Sequence, residues 1–204
     1  MEPLPTVTLP GARSALTFSP DGRLMVAAGN DSIAPGAARV LTLPSLRDAV
    51  PPLEHGDGLA SAVFSPDGQW IATGGEDNVL RLWRAGDGSA YGRALRHEAI
   101  VLSSSFHPAG QWLASGGNDG RLHIWSTPTG ELAGPAAVLA GAVTSVAFSP
   151  DGARVLAVSD RNNAVLVPFA PDARPVEELE RLAQAQTALR SASDGTLEQA
   201  PLAA

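Results

Sequence analysis

Short apolar runs separated by turn-forming residues dominate the first 170 positions of this chain. Leu24 to Ala28, Trp70 to Thr73, Trp112 to Ser115 and Arg154 to Val158 have the length and the aliphatic or β-branched content of strands. Each follows one recurring phrase: Phe18-Ser-Pro-Asp-Gly22, Phe64-Ser-Pro-Asp-Gly68, Phe106-His-Pro-Ala-Gly110 and Phe148-Ser-Pro-Asp-Gly152. In that phrase an aromatic ends a strand, Pro sets φ for a turn, Asp accepts local backbone hydrogen bonds and Gly turns freely. A second turn, Gly74-Gly-Glu-Asp-Asn78 or Gly116-Gly-Asn-Asp-Gly120, leads into a further strand at Val79 to Trp83 or Arg121 to Trp125. Fourth strands are expected around Tyr91 to Leu95 and Pro135 to Leu139. The first equivalent, Val50 to Leu53, carries a Pro pair and reads as an outer edge strand, where not every ladder donor is needed.

The phrase's Phe residues are spaced 46, 42 and 42 apart, the longer first interval arising from an insertion at Ile33 to Ala38. Four antiparallel strands in each unit of this length predict an all-β array of four radial blades, a β-propeller, with repeats at about 5–47, 48–89, 90–131 and 132–170. Beyond residue 170 the period changes. Val176, Leu179, Leu182, Ala183, Gln186 and Leu189 fall three and four apart, so 171–204 is expected to form a short C-terminal amphipathic helix and a flexible tail. Pro175 suits a first helical turn, and Glu177, Glu178 and Glu180 suit its positive end. The acidic polar face, without Lys, favours docking on protein over a membrane surface.

The blades resemble the WD-repeat family. That resemblance implies a buried tetrad per blade: His55, Thr73, Asp77 and Trp83 in the second repeat, and His97, Ser115, Asp119 and Trp125 in the third. Asp would accept from the imidazole, the other ring nitrogen would meet the hydroxyl, and the hydroxyl would meet the indole N–H. The outer repeats depart: Leu9 and Leu139 stand where His is expected, Leu43 replaces Trp in the first, and Val165 to Phe169 has none. Arg84 and Ser126 replace the Asp that usually follows Trp. The blade array followed by Arg174-Pro-Val-Glu-Glu-Leu-Glu-Arg-Leu-Ala183 is similar to the C-terminal part of bacterial WD-repeat proteins, several of which carry a serine/threonine kinase domain. The kinase sequence elements themselves are missing from this chain. The resemblance implies a regulatory or scaffolding module.

Composition narrows the classes further. Fourteen Lys plus Arg against 21 Asp plus Glu give a net charge of -7, with no basic run, which disfavours nucleic acid. There are no cysteines, hence no disulfides or thiolate metal sites. No segment approaches the ~20 apolar residues of a membrane span, and Met1 to Thr6 lacks the features of a secretory signal. A cytoplasmic location without membrane insertion is therefore expected.

The Ser/His/Asp trio invites a catalytic triad reading, but it recurs blade by blade and is expected to be sealed beneath its sheet. His107 and His123 join His97 within one repeat, yet one lies in a turn and the other on a strand, so no convergent metal site is expected. Asp21, Asp67 and Asp151 fall on different blades, and Asn30-Asp-Ser32 matches a glycosylation acceptor too short to carry weight. No catalytic residue, cofactor or metal is expected. The favoured function is a non-catalytic interaction scaffold binding a protein or peptide through loops around Asp57, Leu59, Glu76, Glu98, Ile100 and Asn118. The rivals are a propeller enzyme, a hydrolase or lyase, acting at the central channel, and, as the resemblance implies, a non-catalytic fragment of a bacterial serine/threonine protein kinase. Four blades leave closure open among three readings: a terminal piece of a longer propeller, a half-ring that dimerises, or an isolated four-blade ring, with Thr6 to Leu9 as a closing strand.

Overall fold

The computed structural model describes residue 6 and residues 15–29, 36–133 and 137–170. The tail helix, the closing strand at Thr6 to Leu9 (Thr6 excepted) and the Asn30-Asp-Ser32 motif lie outside them. Every regular element among the described residues is a strand, and the strands form four antiparallel sheets in chain order.

The first sheet contains β1 (Ala15–Phe18), β2 (Leu24–Ala28), β3 (Ala37–Thr42), β4 (Arg47–Asp48) and β5 (Leu53–Glu54). The second contains β6 (Leu59–Phe64), β7 (Trp70–Gly75), β8 (Val79–Arg84) and β9 (Ala90–Arg96). The third contains β10 (Val101–Phe106), β11 (Trp112–Gly117), β12 (Arg121–Ser126) and β13 (Ala137–Val138), and the fourth β14 (Val143–Phe148), β15 (Arg154–Ser159) and β16 (Ala164–Pro168). The expectation of four strands in every blade is met in the second and third. The fourth sheet has three strands among the described residues.

Two expectations for the first blade are corrected. Val50 to Leu53 does not form one edge strand. Instead β4 and β5 pair with opposite ends of β3, because Pro51 and Pro52 have no N–H to offer a ladder between them. Nor does Leu43 take the Trp position. Met25 pairs with Leu41, as Ile71 pairs with Trp83 and Leu113 with Trp125, so Leu41 is the equivalent residue and Leu43 lies beyond the strand.

The recurring phrase builds the turn after the first strand of each blade. Asp67 Oδ1 accepts from the Ser65 hydroxyl at 2.5 Å and from the Gln69 N–H at 3.0 Å, while Ser65 Oγ accepts from the Trp70 N–H at 2.9 Å. The same bonds recur at Ser19/Asp21 and Ser149/Asp151. In the third blade the His107 ring replaces the pair, Nδ1 accepting from the Ala109 N–H at 3.0 Å.

Alternation along the strands gives each sheet two apolar faces, and three cores lie between successive sheets. Val26, Val40 and Leu53 of the first blade pack with Leu59, Phe64, Ile71 and Trp83 of the second. Ala72, Leu80 and Leu82 then meet Val101, Phe106, Leu113 and Trp125, and Ala114 and Leu122 meet Val143, Val146 and Val155. Each fully buried Leu or Val contributes about 1.5–3 kcal/mol relative to exposure. Close approach is part of this packing: a Cβ on Gly116 would stand 2.3 Å from Val143 Cγ1, so only glycine lets the fourth blade's first strand sit this near β11. Hydroxyls cross the same seams, Ser61 meeting Ser104 at 2.7 Å and Ser103 and Ser105 accepting from the Val146 and Phe148 N–H groups at 3.1 and 3.2 Å.

Candidate functional site

Three features carry functional information: the buried polar locks of the two middle blades, the loops at one end of the sheets, and the outward faces of the end blades.

In the second blade the turn after β7 aims Asp77 back toward the loop preceding β6, where His55 enters. The buried hydroxyl of Thr73 accepts twice, from His55 Nε2–H at 2.6 Å and from Trp83 Nε1–H at 2.7 Å. The far side of the ring differs from the expected tetrad. His55 Nδ1 stands 3.4 Å from Asp77, a long contact, while Arg81 comes within 2.7 Å of Nδ1 and 2.5 Å of Asp77 Oδ2. Arg81 is therefore the donor to both, and the imidazole accepts at Nδ1 instead of donating to the carboxylate. Burial, then the Arg81 charge, push the His55 pKa down to about 4, so this ring is neutral near pH 7. Burial works to raise the Asp77 carboxyl, but Arg81 and His55 together hold it below its ordinary value.

In the third blade Ser115 plays the part of Thr73, its hydroxyl meeting His97 Nε2 at 2.8 Å and accepting from Trp125 Nε1–H at 2.7 Å. His97 Nδ1 lies 4.0 Å from Asp119 Oδ2, too far for a hydrogen bond. His123 occupies the strand position of Arg81, opposite Ser115 as Arg81 is opposite Thr73. Its ring centroid is 4.5 Å from that of His97, and its Nε2 is 4.0 Å from Asp119 Oδ2. His97 and His123 thus converge with Asp119, contrary to the expectation from sequence, because the register of β11 with β12 brings position 123 beneath the turn. His107 stays apart, its ring edge-on to Phe148 and Phe169. Burial, then His123, push His97 down to about 4, and burial lowers His123 as well.

In the first and fourth blades the hydroxyl positions are Ala27 and Ala157, opposite Arg39 and Val165. Neither residue can accept from an indole or an imidazole, so the described outer blades carry no equivalent lock.

In the second, third and fourth blades the loop before the first strand is tied to the turn between the second and third strands. Glu76 N–H donates to Gly58 O at 2.7 Å, Asn118 N–H to Ile100 O at 3.0 Å and Asp160 N–H to Ala142 O at 3.0 Å. This brings Asp57, Glu76, Glu98, Ile100 and Asn118 to one end of the sheets. Asp57, Glu98 and Asn118 are exposed, and Glu76 and Ile100 are half-buried. Leu59 does not belong with them: it opens β6 inside the first interblade core and is 1% exposed, so no partner reaches it. Glu98 also pairs with Arg121 at 3.3 Å.

The end blades show what the middle ones cover. Phe18 is 63% exposed, whereas Phe64 and Phe106 at the same repeat position are 9% and 8% exposed against the preceding blade. At the other end Leu166 is 57% exposed, whereas Leu82 at that position is 4% exposed against the following blade. Sequence reasoning missed Arg81 and the convergence of His97 with His123. The signal was available, since Arg81 and His123 stand two residues before Trp83 and Trp125.

Residues 52–84, 92–126 and 128–165 match the family described as WD domain, G-beta repeat, together just over half of the chain. The chain is also similar to proteins named probable cytosolic iron-sulfur protein assembly protein 1 in Cryptococcus neoformans var. neoformans serotype D, strains JEC21 and B-3501A. Each is 46% identical over 35 residues, which cover 17% of this chain and 8% of the relative. The match therefore spans under a tenth of those relatives' length. No helix among the described residues is long and apolar enough to cross a membrane. With four successive antiparallel sheets and three matched repeats, the chain belongs to the WD domain, G-beta repeat family.

Proposed function

We propose that this chain is a non-catalytic scaffold whose protein or peptide partner docks on the loop end that carries Asp57, Glu76, Glu98 and Asn118. WD repeats imply an interaction role, and the observation that supports the loop end is the backbone coupling of two loops in each of the second, third and fourth blades. A surface fixed by backbone hydrogen bonds loses little conformational entropy on binding. Three of its four named side chains are acidic, so a basic partner segment is steered toward it. The buried ionisable groups of the middle blades lie within the polar locks, which supports the non-catalytic reading. A cytosolic setting suits this reading, and the name of the Cryptococcus neoformans relatives gives that setting for those proteins.

The outward faces of the end blades extend the proposal. The first blade's open face is of the kind that receives a preceding blade, and the fourth blade's is of the kind that presents to a following one. Both are built to seat further blades of this repeat, in a second copy or in a longer chain.

The experiment is partner capture from source cells with the parental chain and with the Glu76→Lys/Glu98→Lys variant. Partners that depend on the loop end should fall at least ~10-fold in the variant, in line with the ~1.4 kcal/mol per decade of affinity. An unchanged partner set would remove the loop end from the reading.

A further inference from the structure

The second and third blades are internal comparisons for each other. In the second, a permanent cation, the Arg81 guanidinium, bridges His55 Nδ1 and Asp77 Oδ2. In the third, His123 stands at that position, and His97 Nδ1, Asp119 Oδ2 and both His123 ring nitrogens are buried without a hydrogen-bond partner among the described residues. Orphaned polar atoms of this kind cost stability unless something satisfies them.

The other atom of two of these groups is already committed. His97 Nε2 is bonded to the Ser115 hydroxyl, so Nδ1 is the ring nitrogen left facing the cluster. Asp119 Oδ1 accepts the Arg121 N–H at 2.9 Å, which leaves Oδ2. Such outer contacts fix the tautomer and orientation of metal ligands. One donor atom from each of His97, Asp119 and His123 lies within 4.8 Å of the others. The three side chains are about nine-tenths buried or more, at 0%, 7% and 11% exposure.

We propose that His97 Nδ1, Asp119 Oδ2 and His123 Nε2 bind a divalent transition metal of the zinc type, which takes the place that Arg81 holds in the second blade. Two imidazoles and a carboxylate are a borderline donor set suited to zinc, and three protein ligands leave one coordination position for water. Donor atoms about 2.0–2.1 Å from a tetrahedral ion stand roughly 3.3–3.4 Å apart. The two 4.0 Å separations to Asp119 Oδ2 therefore need to close by about 0.6 Å. The ion would join the loop before β10 to the turn after β11 and to β12, tying these three elements together.

The test uses the full-length chain without a polyhistidine tag, stripped with EDTA and titrated with CoCl2 and ZnCl2. The expected result is a visible tetrahedral Co2+ band that saturates at a single equivalent and is displaced by Zn2+, with a raised Tm in Zn2+. His123→Arg rebuilds the second blade's arrangement, so it should fold while losing the band and at least ~100-fold in Zn2+ affinity. Asp119→Asn should lose the band too, and provides the same reading should His123→Arg fail to fold. His107→Ala should keep it. No saturable band in the parental chain, or a band that survives both His123→Arg and Asp119→Asn, overturns the proposal.

Discussion

The second and third blades share a fold, a register and a hydroxyl that bonds the imidazole and accepts from the indole, yet one residue sets their polar cores apart. Where Arg81 stands, His55 and Asp77 share a donor and the network is closed. Where His123 stands, the corresponding atoms of His97 and Asp119 are 4.0 Å apart and unpaired among the described residues. The difference shows that the hydroxyl is the invariant part of this lock, whereas the carboxylate is only as useful as the cation facing it.

The largest effect should come from the part the blades share. Thr73→Val and Ser115→Ala each strand a buried imidazole nitrogen and an indole N–H, and should each cost about 2–4 kcal/mol, measured as the loss in urea unfolding free energy. Near-equal losses would support a common hydroxyl anchor. A loss confined to one blade would break the comparison at its root.

Acid should come next and act on both blades. The folded pKa of His55 and of His97 is about 4, below the ordinary 6.5, so between those values the unfolded chain binds more protons than the folded one. Stability should therefore be full above about pH 6.5 and fall as pH drops toward 4, by a few kcal/mol in total. Urea midpoints that stay flat across this window would show that the rings are not held neutral.

The reciprocal exchange isolates the residue that differs. In EDTA, His123→Arg should stabilise the chain by about 0.5–1.5 kcal/mol by supplying donors to Asp119 Oδ2 and His97 Nδ1, and Arg81→His should destabilise it by a similar amount. Thermal unfolding of the two variants provides the check, and shifts of the same sign would contradict the assignment. The smallest effect is spectroscopic. Arg81→Met removes the cation that helps depress His55, so its NMR titration midpoint should move upward from about 4, with little response from His97.

Much of the architecture was legible because the repeat phrase has local causes. Ser65, Asp67 and Gly68 make their turn from neighbouring atoms, so the strands they join could be counted and placed. The His, hydroxyl and Trp positions were legible through the offsets that resemblance supplied. Arg81 and His123 were not, since a strand position is polar or apolar in sequence and only cross-strand register shows what it faces. Leu41 was misplaced for a related reason: an insertion shifts the count, while pairing with Met25 preserves the role. Leu59 looked like part of a loop because it follows Gly56, Asp57 and Gly58, but the strand begins one residue earlier than the polar pattern suggested. Burial by a neighbouring blade is a property of the array and leaves little trace in any single repeat.

The exposure of Phe18 at one end and Leu166 at the other has a consequence for assembly. The two surfaces differ, so a contact between copies through them is heterologous: every union consumes one front and one back and leaves another of each. Such growth ends only when the rotation per subunit returns the last back to the first front, and otherwise continues as a filament. The angle between neighbouring blades, set by packing as tight as Gly116 against Val143, would then decide between a finite particle and a fibre.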